Sequence, residues 1–375
     1  TIKASSQAAS LAAGLGGAGV AVAGAGAGAT NTILTNTNAF VSGSTLNASG
    51  DVKVESTNDS RIHATIIAAA ASVAIGGAVG VGASIGAAVA SNIIGFSDSD
   101  SSLATHESTE TINELKKGET VAITSGSLEG QVFEYLGDTL TDGDPKTSGD
   151  QPIDLSVQEY SDETLWRRRF DRPGADVQAY VHNSSVTSGG HVVLNAESDL
   201  QIQATVLAGA VAVAGGAGVG GFAATGAGAS SSNKIAADVR AFIDGDGTGN
   251  QGISGKSLTL SALDKSIINA ETKATSVAVS FGSSAASIAV GVSLSDNEID
   301  NVVQASISNA DAVKTTAGQV SITASEEATI DAVTEAASAA AAIGLGGSSA
   351  SGVTNRSEEH TSELQSRQYL VCRLL

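Results

Sequence analysis

The chain contains 375 residues, of which 39 are acidic and 19 are basic, and its formal net charge at pH 7 is −20. Nucleic acids and anionic membranes both need a basic protein face, so this charge argues against either of them as a partner. An acidic surface is consistent with good solubility and with the binding of divalent cations.

The chain is a repeat with a period a little above sixty residues. An Ile-x-Ala triplet recurs at intervals of 60, 140, 66 and 62 residues, and the interval of 140 indicates one additional module. The triplets begin at Ile2, Ile62, Ile202, Ile268 and Ile330. A second triplet, Asn-x-Ile, begins at Asn31, Asn92, Asn233 and Asn297. Such regular copying predicts one supersecondary unit that stacks on its own copies, so adjacent repeats are the first predicted partners.

The units are predicted to consist of β-strands. Ten residues before four of the Ile-x-Ala triplets, apolar residues alternate with polar ones, which indicates a strand with one buried face. These pairs are Val52 and Val54, Val192 and Leu194, Leu258 and Leu260, and Val320 and Ile322. A stretch rich in Ala, Gly, Ser and Val follows each triplet with the same period of two. Gly pairs near the middle of four of these stretches predict a turn between two strands.

The predicted fold class is all-β, a repetitive β-solenoid (β-helix-like) with Ala/Gly-rich strands and three coils of about twenty residues per unit. A long antiparallel β-meander that folds back at each Gly pair is the alternative. Ala and Gly each bury little apolar area, at roughly 25 cal/mol per Å², so a single unit depends on its neighbours for stability. The repeated Asn side chains are predicted to cap turns and to form a ladder from copy to copy.

Composition divides the chain into four segments. These are β-repeats over 1–92, an inserted small β module with aromatic residues over 93–178, β-repeats over 179–355 and a non-native tail over 356–375. The insert contains half of the aromatic residues of the chain. In one interpretation they form a small core of the insert itself. In the other, Tyr135, Tyr160 and Trp166 are exposed beside carboxylates and contact a sugar or a protein ligand.

Asp244, Asp246 and Asn250 are the best candidates for a metal site. Oxygen-bearing side chains alternate with glycines over residues 244–250 and could wrap a calcium ion. A simple turn is the competing interpretation, because position twelve of an EF-hand loop would be Gly255 rather than a glutamate. No other cofactor is predicted.

The chain is predicted not to be an enzyme. Residues 82–86 match the serine-hydrolase elbow pattern and residues 14–19 match the dinucleotide fingerprint. The first match lies inside an Ala/Gly stretch, and the equivalent positions of the other units lack the serine-centred pattern. The second lacks the strand–turn–helix context that a dinucleotide site requires, so we interpret both as coincidence.

The uncharged stretch from Ile66 to Ile94 raises a membrane alternative, because a hydropathy window would classify it as a span. Its small residues and its period-two alternation favour a packed strand instead. A membrane-active, cytolysin-like exoprotein is therefore the second hypothesis for function.

A family resemblance rests on the insert and on the repeats that flank it. The run Gly118 to Val121, followed by residues 130–137, 154–155, 160–162 and 165–166, resembles a module of giant bacterial repeat exoproteins. With the flanking triplets, residues 1–355 are similar to filamentous haemagglutinin-like or leukotoxin-like filamentous adhesins. The resemblance implies a stalk segment of a large adhesin, secreted or on the surface of a Gram-negative bacterium, that supports adhesion or biofilm formation. It implies a host-surface protein or glycan as partner and carries over no catalytic residues.

Residues 356–375 resemble the translation of a sequencing-adapter oligonucleotide, and they break the repeat after Asn355. We therefore interpret the chain as an internal fragment, of metagenomic origin, that is followed by a non-native tail. Cys372, the only cysteine, lies in this tail. The repeats are thus predicted to lack disulfides, thiolate catalysis and cysteine-based metal sites.

Overall fold

A computed structural model describes residues 1–95, 104–124, 132–141, 152–160, 162, 165–169, 175–246 and 252–362. The structure is nearly all β, with 80% strand and 1% helix, which confirms the predicted all-β class. Two compact units divide the chain. The repeat unit consists of Thr1–Ile94 with Ala175–Leu375, and the insert is Gly95–Gly174.

The repeat unit contains four copies of one strand series and the start of a fifth. The first copy contains β1 (Ile2–Ile33), β2 (Asn36–Ser42), β3 (Thr45–Ala48) and β4 (Val52–Asn58), and the second starts with β5 (Arg61–Ile94). The insert then contributes β6 (His106–Glu107), β7 (Thr111–Ile112), β8 (Glu114–Leu115), β9 (Thr120–Ala122), β10 (Val132–Tyr135), β11 (Leu140–Thr141), β12 (Ile153–Asp154), a 3-10 helix (Leu155–Val157) and β13 (Trp166–Arg169).

After the insert, the second copy continues with β14 (Ala175–His182), β15 (Ser185–Ser188) and β16 (Val192–Ser198). The third copy contains β17 (Gln201–Ile235), β18 (Ala237–Asp244), β19 (Ile253–Gly255) and β20 (Leu258–Asp264). The fourth contains β21 (Ile267–Ile299), β22 (Val302–Ser308), β23 (Val313–Thr315) and β24 (Val320–Glu326), and the fifth begins with β25 (Thr329–Ser362). Residues 175–178, which the sequence analysis assigned to the insert, therefore lie in a strand of the repeats.

Strands of successive copies pair in parallel. The five long strands form one sheet in the order β1-β5-β17-β21-β25, and the shorter strands form three four-stranded sheets in the same way. Ile62 pairs with Ile2 on one side and with Ile202 on the other, which confirms the repeat register derived from the sequence. The alternative of an antiparallel meander is wrong for these strands. Three coils per unit would pair strands about twenty residues apart, whereas the described long strands pair only with their equivalents one whole unit away, so the expectation of three coils is wrong.

The long strand of each copy folds back on itself near its Gly pair. In β1 a Cβ atom on Gly14 would lie 2.1 Å from the carbonyl oxygen of Val20, so the chain reverses between these two residues. The register with β5 shifts at the same place, between Gly16 and Ala18. We call the segment before the reversal the first arm (residues 2–15 in β1) and the segment after it the second arm (residues 19–33). The predicted turn at the Gly pairs is confirmed.

The two arms of a copy pack against each other through very small side chains. In β5 the buried positions over residues 68–90 are all Ala, Gly or Ser. In β21 the Oγ atoms of Ser280 and Ser287, one from each arm, lie 2.8 Å apart. Larger side chains would not fit between backbones this close, which explains the composition of these stretches.

The large aliphatic side chains are buried where the arms join the shorter strands. Ile62, Leu194, Ile202, Ile243 and Leu260 have no exposed surface and belong to one continuous cluster. A buried Leu or Ile side chain contributes about 1.5–3 kcal/mol, far more than a buried Ala or Gly. This cluster therefore provides most of the hydrophobic stabilisation, and the arms extend from it.

The last long strand includes part of the predicted tail. β25 pairs with β21 through Ser362, so residues 356–362 continue the parallel sheet. Asn355 lies opposite Val292, and His360 rather than an asparagine lies opposite Asn297. Parallel backbone pairing accepts most sequences, so the non-native origin of the tail stays a prediction.

Candidate functional site

A ladder of four asparagines joins the copies at the end of the second arm. The side-chain amide nitrogen of each residue donates to the amide oxygen of the next, from Asn31 to Asn92 at 2.8 Å, from Asn92 to Asn233 at 2.8 Å and from Asn233 to Asn297 at 2.9 Å. Asn297 donates to Ser295 Oγ at 2.9 Å, so the ladder ends on a hydroxyl. The last three asparagines are 0% exposed. The predicted ladder is confirmed, and these amides serve the stack of copies rather than a ligand.

The carboxylates of the predicted calcium site accept hydrogen bonds from the protein itself. Asp244 Oδ1 accepts from Asn309 Nδ2 at 2.7 Å, and Asp246 Oδ2 accepts from the backbone nitrogen of Ala312 at 2.9 Å. These contacts fasten the turn after β18 to the next copy, which favours the turn interpretation. Asn250 lies outside the described residues. Within the ranges that the structure describes, no group of three or more His, Cys, Asp or Glu side chains could hold a metal ion, and the calcium site stays a prediction.

The aromatic residues proposed for ligand binding lie in the core of the insert. Tyr135, Tyr160 and Trp166 are 3%, 9% and 2% exposed, and the ring centroids of Tyr160 and Trp166 are 4.7 Å apart. The Tyr160 hydroxyl donates to the carbonyl oxygen of Leu155 at 2.7 Å, and burial raises the pKa of Tyr160 to about 12. The prediction of an exposed ligand surface is corrected, because these rings pack against each other and not toward solvent.

A column of stacked aromatic rings was not predicted from the sequence. Phe40, Tyr180 and Phe242 follow one another on the outward side of β2, β14 and β18, with centroids 5.1 Å and 4.8 Å apart and rings within 8° of parallel. The signal was available, because all three occupy the same position of the repeat. Each such pair is worth about 0.5–1.5 kcal/mol beyond its buried area. The rings cover each other's faces and therefore hold copies together.

Two acidic residues, Asp264 and Glu326, lie side by side at the ends of β20 and β24. Asp264 is 0% exposed and accepts hydrogen bonds from Ser266 Oγ at 2.8 Å and from Asn301 Nδ2 at 2.7 Å. Glu326 occupies the same position one copy further on. Burial first, then the negative charge of Asp264 and of Asp300, raises the pKa of Glu326 to about 7. Glu326 therefore binds a proton near neutral pH in the folded chain.

The strongest candidate for a functional surface is the outer side of the first arms. We define the first-arm face as the odd-numbered positions 9–15, 69–75, 209–215, 275–281 and 337–343, which lie side by side on the five long strands. Every one of them is apolar or Gly except Thr275. Leu11, Leu15 and Ile343 are 78%, 76% and 69% exposed. An apolar area of this composition on a chain with a net charge of −20 needs an explanation.

The outer side of the second arms is apolar as well, but less uniformly. Val22 and Ile85 are 70% and 64% exposed there, whereas the equivalent positions of β25 include Ser349, Ser351 and Asn355. The sequence analysis noted the uncharged stretch but expected one buried and one polar side for each strand. In the arms, the buried side holds the smallest residues and the exposed side holds the larger apolar ones.

Among the described residues, no helix is long and apolar enough to cross a membrane. Comparison of the chain with protein-family models, with curated proteins and with solved structures gives no match.

Proposed function

We propose that the repeats form a β-solenoid with one coil per unit, and that it serves as a non-enzymatic stalk segment of a large bacterial adhesin. In this proposal the protein is secreted or held on the surface of a Gram-negative cell, where it supports adhesion or biofilm formation. The binding partner of this adhesin is a host-surface protein or glycan. The observation that carries the proposal is the parallel, in-register pairing of successive copies.

Three features of the repeats support a stalk. The backbone hydrogen bonds, the asparagine ladder and the aromatic column all run from copy to copy, so each copy is held by its neighbours. One strand spacing is about 4.8 Å, so each coil lengthens the stack by that amount. A projection of about 100 Å would need about twenty coils, which is consistent with a very long parent protein.

The stalk proposal is tested by removing one complete coil. Deletion of residues 201–266 joins Leu200 to Ile267, which occupies the same repeat position as the deleted Gln201. A modular stack should keep its β-type circular dichroism and its cooperative unfolding after this change. As a control, deletion of residues 201–233 joins positions that are not equivalent and should abolish folding. If both deletions unfolded the protein, the copies would not be independent coils and the proposal would fail.

The second candidate is a membrane-active, cytolysin-like exoprotein. It is favoured by the arms, whose outer sides are apolar and whose residues carry no charge from Ala64 to Ser97. The test is release of a trapped dye from phosphatidylcholine vesicles by the intact chain. Leakage at low protein-to-lipid ratio would support this candidate, and vesicles that stay sealed would remove it.

A further inference from the structure

We infer that the first-arm face is a self-association surface that packs against the same face of a second copy of this chain. The inference does not depend on the stalk role, because it rests on the area, the charge and the shape of this one surface.

The size of the first-arm face matches that of a stable protein interface. A side-chain position on one side of a sheet takes about 30–35 Å², so about twenty positions cover roughly 650 Å². Two such faces would together bury about 1,300 Å², which lies within the range of stable, specific complexes. A single copy would leave an apolar patch at or above the largest that monomeric proteins normally expose, which is about 300–600 Å².

The distribution of charge favours a protein partner with the same face. The chain has a net charge of −20, yet the first-arm face contains no charged residue. Lys273 and Glu335 lie two residues before the first face positions of β21 and β25, and their charged atoms are 3.3 Å apart. Lys273 also forms an ion pair with Glu271. At β21 and β25 the apolar face is therefore bordered by an ion pair, as is usual at the rim of a protein interface, whereas the same row is apolar at Ile67 and Leu207. Two copies can therefore meet here without placing like charges in contact.

The surface is also complementary to itself. A shallow apolar depression on the face is lined by Ala9, Leu11, Ala69, Ala71, Gly209 and Val211. Ala9, Ala69 and Gly209 are small residues of its lining on three neighbouring strands, and Leu11, which also lines it, is 78% exposed. Across a two-fold axis, the Leu11 side chain of each copy would meet the depression of the other, as an isologous interface requires.

Sedimentation velocity of the intact chain over about 1–100 µM tests the inference, and the fraction of dimer is expected to rise with concentration within this range. Val211→Lys and Leu11→Lys each place a charge on the face and should weaken the dimer about 100-fold or more. Ala224→Lys, on the outer side of the second arm of the same strand as Val211, is the matched control and should leave association unchanged. Because the two copies repel each other over long range, added salt should strengthen the dimer. Circular dichroism of each variant checks that it is folded.

Three results would overturn the inference. One is a wild-type chain that stays monomeric throughout the concentration range. Another is Ala224→Lys weakening association as much as Val211→Lys, which would place the contact elsewhere. The third is a monomeric chain that floats with phosphatidylcholine vesicles and loses that binding in Val211→Lys, which would make the face a lipid-binding surface.

Discussion

Substitution of one asparagine in the middle of the ladder measures how strongly the copies are coupled. In Asn233→Ala the amide nitrogen of Asn92 loses its acceptor at 2.8 Å, and the amide oxygen of Asn297 loses its donor at 2.9 Å. Both remaining groups are 0% exposed, so water does not replace the lost partner. An orphaned buried polar group costs about 1–3 kcal/mol, so we expect the free energy of unfolding to fall by about 4 kcal/mol.

The assay is urea unfolding followed by far-UV circular dichroism, which reports the repeats. Tryptophan fluorescence is unsuitable for this purpose, because the only tryptophan, Trp166, lies in the insert. The matched control is Asn269→Ala, which removes an exposed asparagine from the outer side of β21 and should change stability by less than about 0.5 kcal/mol. If both variants lost the same stability, the ladder would contribute nothing and our reasoning about it would be refuted.

Three further predictions concern pH, the insert and the arms. The pKa of Glu326 is raised in the folded chain, so this group stabilises the fold at low pH and its contribution is lost as pH rises through about 7. The urea midpoint of the wild type should therefore fall between pH 5 and pH 8, and the fall should be smaller in Glu326→Gln, which cannot lose a proton. Tyr160→Ala should destabilise the insert by about 3–5 kcal/mol and shift Trp166 emission to longer wavelength, while an unchanged spectrum would contradict the buried core. A Cβ atom on Gly86 would lie 2.4 Å from the carbonyl oxygen of Gly209. Gly86→Ala should therefore lower thermal stability, whereas Gly226→Ala, where the added atom meets nothing within 4 Å, should not.

Much of the fold followed from spacing along the chain. The Ile-x-Ala and Asn-x-Ile intervals predicted which residues lie side by side, and Ile62, Ile202 and Asn233 are paired as expected. This succeeds because a stack of parallel strands brings equivalent positions of each copy together at one strand spacing. The number of coils per unit was wrong, because period-two alternation predicts strands but carries no information on how far a strand runs before the chain turns.

The candidate sites were less predictable. Aromatic residues such as Tyr160 and Trp166 are typical both of ligand-binding surfaces and of small cores. Only their packing in the folded chain distinguishes these two roles. Asp244 and Asp246 have the spacing of calcium ligands, but each accepts a hydrogen bond from the next copy, from Asn309 and from Ala312. Partners this distant in sequence cannot be identified from the local pattern.

The sequence by itself determined that this protein is an all-β repeat, where the repeat is interrupted and which asparagines meet. These properties depend on local periodicity and on equivalence between copies, both of which are visible in the order of residues. Only the tertiary structure decided that the two arms of each Ala/Gly stretch pack against each other with Ser, Ala and Gly between them. That folding leaves the larger residues, such as Leu11 and Leu15, on the outside. Which side of a strand is buried depends on what packs against it, and for these arms the closest packing is available only to the smallest side chains.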